Sequence, residues 1–128
     1  MKPDKQDLMG FFDGKPGALD LYLAFEKVLY VRFPQTRARV QKTQISFSNR
    51  YVFACISFLR VKKKALLPDP YIVLTLGLPC PLASPRVEAC TQPYPGRWTA
   101  HIVLGSEGEL DDELMGLVEA AWNFALIK

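Results

Sequence analysis

Six polar or aromatic side chains, in two groups, offer the chemistry in this sequence: Lys42, Gln44 and Arg50 in one segment, and Arg97, Trp98 and His101 in another. Cationic donors beside an aromatic plane hold anions, and they hold single-stranded bases by stacking. Alternation places Lys42, Gln44 and Ser46 on one side of an extended chain, and Arg97, Thr99 and His101 on one side of another. If the two segments share a sheet, their polar stripes gather on one rim and form a binding site. The alternative is that each stripe is the solvent side of an antiparallel sheet, with Trp98 closing the edge of the core and His101 satisfied by a backbone group.

His101 is the only histidine. As a general base it needs a nucleophile or substrate within hydrogen-bond reach, for which Ser46, Thr99 and Cys90 are the candidates. No triad-like spacing supports this, so whether the chain is an enzyme stays open. Cys55, Cys80 and Cys90 are odd in number and lack C-x-x-C spacing, which argues against a disulfide framework and against a zinc site completed by His101. No motif calls for a cofactor. Gly14-Lys15-Pro16 precedes a helix start that has N–H groups to offer a phosphate, but it lacks the other glycines and the Ser/Thr of a phosphate loop.

Charge is uneven along the chain. Residues 1–64 hold 13 Lys/Arg against 5 Asp/Glu, and residues 65–128 hold 3 against 8. Between Glu26 and Asp69 there is no acid at all. Such a block attracts phosphates, nucleic acid or an acidic partner, or else it faces the acidic C-terminal segment or simply water.

The elements that must position these groups follow from period. The segment 16–33 carries Ala18, Leu21, Tyr22, Phe25, Val28 and Leu29 on one helical face, with Pro16 suited to a first turn and Pro34 ending the helix. A shorter helix is expected within residues 3–12. Residues 39–47 and 51–60 read as a hairpin about Ser48-Asn49-Arg50. Both alternating sets of the second strand are apolar, which makes it a central strand. Further strands are expected at 71–78, in a short piece near 86–90, and at 97–104. The last helix has Leu110, Leu114, Leu117, Val118, Ala121, Trp122 and Ala125 as its apolar stripe, with Ser106 and Glu109 as a capping box and acids in its first turn.

One domain of 128 residues, 49% hydrophobic, follows from length and composition. The fold class is α+β: an antiparallel sheet of about five strands packed against N-terminal and C-terminal helices. No apolar run of about 18 residues is present, and the N-terminus lacks the apolar stretch of a signal peptide, so the expectation is a cytoplasmic protein without a membrane partner.

Three stretches carry a likeness to a known family: FFDGKPGALDLYLAFEKVL from Phe11, VQKTQISFSNRYVFACI from Val40, and PGRWTAHIVLGSEGELDDEL from Pro95. Their F-x-G-K-P lead-in to a helix, K-x-Q-I-x-F hairpin and G-R-W-x-x-H strand resemble the small bacterial domain-of-unknown-function family DUF5655. The resemblance spans most of the chain in the same order. It implies no activity, cofactor or catalytic residue. It is similar in organisation to small α+β domains of the YjbR and YdhG type, which implies nucleic-acid or anion binding at the level of fold analogy.

Three functions therefore compete. The first is a binding domain whose basic hairpin engages an anionic partner, nucleic acid or a phosphate-bearing ligand. The second is a homodimeric interaction protein in which an exposed sheet edge or the strands carrying Phe47 and Phe58 bury each other. The third is an enzyme on a small anionic substrate around His101, Arg97 and Lys42.

Overall fold

The computed structural model describes residues 2–128. Two helices come first, α1 (Lys5–Phe11) and α2 (Pro16–Arg32). Six strands follow: β1 (Arg37–Val40), β2 (Gln44–Ser48), β3 (Val52–Ser57), β4 (Ile72–Leu78), β5 (Ala89–Tyr94) and β6 (Arg97–Leu104). Helix α3 (Asp112–Ile127) completes the order. The strands form one antiparallel sheet in the order β1-β2-β3-β4-β6-β5, an α+β architecture.

The register sorts side chains by face, because residues directly opposite one another in neighbouring strands point the same way. One rung runs Val40, Ile45, Ile56, Leu74, Ile102, and another runs Ala38, Phe47, Ala54, Leu76, Ala100. These apolar rungs meet the helices. Phe47 lies against Tyr22 and Phe25 of α2, with ring centroids 6.3 and 5.9 Å apart, and α3 packs over β3 and β4. The core is continuous from Leu8 and Phe12 through to Ala125.

The rung between them is of another kind: Arg39, Ser46, Cys55, Thr75, His101 and Ala89 cross all six strands on the opposite face. β3 is central in the sheet as its composition implies, but its second face carries Cys55 and Ser57 rather than a second apolar layer.

Three local features differ from the sequence expectation. The stretch expected as a single strand over 39–47 is two strands, separated at Gln41-Lys42-Thr43, so Lys42 sits in a bend and not on a strand. The strand expected near 86–90 lies at 89–94 and includes Pro93, which an edge strand tolerates because the missing N–H faces away from the ladder. Ser106 and Glu109 do form a capping box, but it caps a single 3₁₀ turn at Glu107–Glu109. The following helix starts on Asp111, whose side chain accepts a hydrogen bond from the Leu114 N–H.

Of the two rings expected to meet a second copy, Phe47 is spent in the core and Phe58 is partly engaged within the chain. Phe47 is fully buried, and Phe58 packs against Phe11, Phe12 and Tyr71. Phe47 is therefore closed to a partner, while Phe58 is half-buried.

Candidate functional site

The polar rung floors a cleft of about 470 Å³ on the face of the sheet away from α2 and α3. Thr75 and His101 lie opposite each other on β4 and β6, and Cys55 lies opposite Thr75 on β3. The Thr75 hydroxyl is 2.8 Å from Nδ1 of His101. It also reaches the Cys55 thiol, which it favours in the ionised form, although burial is the larger effect and pushes that thiol up. Burial lowers His101, which is therefore neutral near pH 7.

The walls come from outside the sheet. Lys42 and Thr43 in the bend before β2 form one, with Gln44 at the start of that strand. Phe58 and Leu59, just beyond β3, form another with Phe11 at the end of α1. The Phe11 and Phe58 rings stack at 5.6 Å, and the Lys15 ammonium lies 4.9 Å from the Phe58 centroid. Near His101, Lys62 pairs with Glu88 at 3.0 Å, and the Glu88 N–H donates to the His101 carbonyl at 2.8 Å. That pair ties the loop after β3 to the start of β5.

Electrostatics follow from this lining. No carboxylate lines the cleft, and Glu88 beside it is already engaged by Lys62. Lys42 is exposed and has no partner among the described residues. Gln44 is spent more locally: its amide donates to Ser46 Oγ at 2.9 Å and to Gln41 Oε1 at 3.3 Å, while Ser46 Oγ donates to Gln41 Oε1 at 2.7 Å. This small network holds the bend that presents Lys42. The cleft offers one free ammonium, a neutral imidazole and a hydroxyl over an aromatic wall, a set that receives a small anion.

The expected rim divides in two. Lys42, Gln44 and His101 share the cleft, whereas Arg97 and Trp98 line a separate one of about 490 Å³ at the far end of β6, with Phe124 of α3 and Lys128 just beyond it. Arg50 joins neither. It lies in the β2–β3 turn with its guanidinium 5.6 Å from the Tyr51 ring centroid. His101 is satisfied by a side chain and not by a backbone group, and its hydroxyl partner is none of Ser46, Thr99 or Cys90. Cys90 is opposite Ala100 and packs toward the core. Thr75 was missed because it belongs to an otherwise apolar strand. The signal available in sequence was the lone hydroxyl in YIVLTLGL.

Larger space exists along the outer side of α2, about 860 Å³, but there Asp20 and Glu107 offset Lys27 and Arg32, so no unbalanced charge marks it. Among the described residues no group of His, Cys, Asp and Glu can hold a metal ion, and no helix is long and apolar enough to cross a membrane.

Comparison with known proteins gives one match. The family model described as Domain of unknown function (DUF5655) matches residues 10–125. No curated protein and no solved structure matches the chain.

Proposed function

Since this chain belongs to the DUF5655 family, whose description assigns no activity, we propose from its own geometry that it is a binding domain for a small anionic ligand, phosphate- or carboxylate-bearing. The ligand is held in the cleft between Lys42 and His101. The observation that carries this reading is the convergence of the unpaired Lys42 ammonium with the Thr75–His101 pair over one cleft that no carboxylate lines. A charge-assisted contact from Lys42 supplies attraction, and neutral His101 and Thr75 supply direction.

The division of the basic rim favours a small ligand over nucleic acid at this site, since Arg50 and Arg97 are not there to follow a backbone. The organisational likeness to YjbR and YdhG type domains, a bacterial source and a cytoplasmic location belong to the same reading.

Calorimetric titration at low salt with inorganic phosphate, a sugar phosphate and a dicarboxylate tests it. At least one should bind, with affinity falling as salt rises, and Lys42→Ala should weaken it about tenfold, the loss of one charge-assisted hydrogen bond. No binding by any of the three, or an unchanged affinity in Lys42→Ala, would overturn the assignment.

A second reading is favoured by one contact. The 2.8 Å approach of the Thr75 hydroxyl to a neutral imidazole is the geometry of a nucleophile beside its base. Turnover of phosphate or carboxylate esters that disappears in both Thr75→Val and His101→Gln would replace binding with hydrolysis as the function.

A further inference from the structure

Arg97 and Lys128 approach the same aromatic ring. The Arg97 guanidinium is 5.4 Å and the Lys128 ammonium 5.7 Å from the Phe124 centroid. Three cations elsewhere in the chain are answered by acids: Arg32 by Asp112, Lys62 by Glu88, and Arg86 by Asp111 and Glu113. No carboxylate side chain lines the cleft that Arg97 and Lys128 share. Burial, and then the nearby Arg97 charge, lower the Lys128 ammonium from its ordinary value. Two like charges thus meet at one ring, with Lys128 also donating to the Val52 carbonyl at 2.9 Å and neither cation answered by an acid, and a ring face or a neutral carbonyl balances charge less than an ion partner does.

The remaining walls narrow the class of anion. Tyr94 lies directly opposite Arg97 across the β5–β6 turn and is 70% exposed, while Trp98 is half-buried in the same cleft. Pro93 and Pro95 flank Tyr94, and Gly96 takes the left-handed conformation, φ +73, that closes the turn. Fixed φ at the two prolines pre-organises this wall, so little ordering cost is left for binding. Inorganic phosphate would use the cations and leave the rings idle.

We propose that this cleft is a second anion site and that it takes a nucleoside phosphate, with the phosphate between Arg97 and Lys128 and the base on the aromatic surface of Tyr94 and Trp98. Its volume of about 490 Å³ falls in the range of small-molecule sites. A free nucleotide and one unit of a single strand present the same chemistry, a phosphate beside a flat base. The site is independent of the cleft at Lys42, with which it shares no lining residue.

The test follows the Trp98 indole N–H by NMR while pyrophosphate, adenosine diphosphate and an oligothymidylate are titrated in turn at low salt. Adenosine diphosphate or the strand should shift that signal and bind at least about tenfold more tightly than pyrophosphate, because base stacking adds to the phosphate contact. Arg97→Ala should weaken the binding about tenfold or more, Arg97→Lys by less, and Lys42→Ala not at all. Binding by the strand alone, if lost in Arg97→Ala, supports the same site and names its source. No Trp98 shift with any probe, equal affinity for pyrophosphate and the nucleotide, or indifference to Arg97→Ala would each overturn the proposal. Arg97 and Tyr94 are exposed, so far-ultraviolet dichroism of Arg97→Ala and Tyr94→Ser should match the parent, and Tyr94→Ser gives an independent reading of the stacking contact.

Discussion

The Thr75 hydroxyl and the His101 imidazole, 26 residues apart in sequence, meet at 2.8 Å because β4 and β6 are neighbours in exact antiparallel register. The contact engages one ring nitrogen, Nδ1, of a residue that lines the cleft.

His101 is lowered from its ordinary value of 6.5 by burial. The unfolded chain therefore takes up the proton first as pH falls. The stability that this neutral, buried ring represents is complete above about 6.5 and is lost as pH falls from there through the folded value. Denaturant melts between about pH 5 and pH 8 should show the slope, and His101→Gln should flatten it. In the same window an anion in the cleft should bind more tightly as pH falls, because the ring becomes a second cation; calorimetry at two pH values reads this directly.

Asp111 works at two junctions. Its carboxylate accepts from the Leu114 N–H at 2.9 Å and from Arg86 at 2.6 Å, and these two contacts, the first the larger, hold its carboxyl below the ordinary carboxylate range. The sign is the same as that of His101, in a more acidic window: stability from this group is present above the ordinary value and is lost as pH falls through the depressed one. Asp111→Asn should keep the helix start, since Asn also caps, while losing the ion pair and part of the acid limb of a thermal melt. Asp111→Ala should lose both, with a larger drop in melting temperature.

Tyr22 is fully buried and donates to Glu26 Oε2 at 3.0 Å. Burial first, then the Glu26 charge, holds its phenol protonated far above the ordinary value. Tyr22→Phe removes the donor and leaves a nearly buried carboxylate with less to bind. A loss of about 1–3 kcal/mol is expected in urea melts, the cost of stranding a buried acceptor.

Gly105 ends β6 against a proline. A Cβ there would stand 2.7 Å from Pro68 Cγ and 2.8 Å from Pro68 Cβ, and a proline ring cannot swing aside as a long side chain can. Gly105→Ala should destabilise by about 1–3 kcal/mol, as overpacking does, and Gly105→Ala with Pro68→Ala should recover part of it. Gly10→Ala, with nothing within 4 Å, is the control and should be neutral or slightly stabilising.

Legibility in sequence followed the physics of each signal. β6 and α2 were readable almost to the residue, because alternation in RWTAHIVL and helical spacing after Pro16 are local patterns. The division between β1 and β2 was not, since Gln41-Lys42-Thr43 contains none of the Gly, Pro or Asn that mark a turn; the Gln41–Gln44–Ser46 side-chain network holds the bend instead. Lys42 and His101 were readable as candidates by residue type. Their shared cleft was not, because it depends on β6 inserting beside β4 ahead of β5, a matter of strand order. Arg97 and Trp98 belong elsewhere for the same reason that Thr75 belongs here: position along a strand fixes which end of the sheet a side chain serves.

The two outermost strands set a boundary on what this sheet can become. β1 is only four residues long and carries Arg37 and Arg39, while β5 bears Pro93 and an irregular register between Thr91 and Tyr94. A newcomer strand would find too few free amide groups and too much positive charge on one border, and a broken ladder on the other. Both borders are thus poor templates for runaway stacking into fibres.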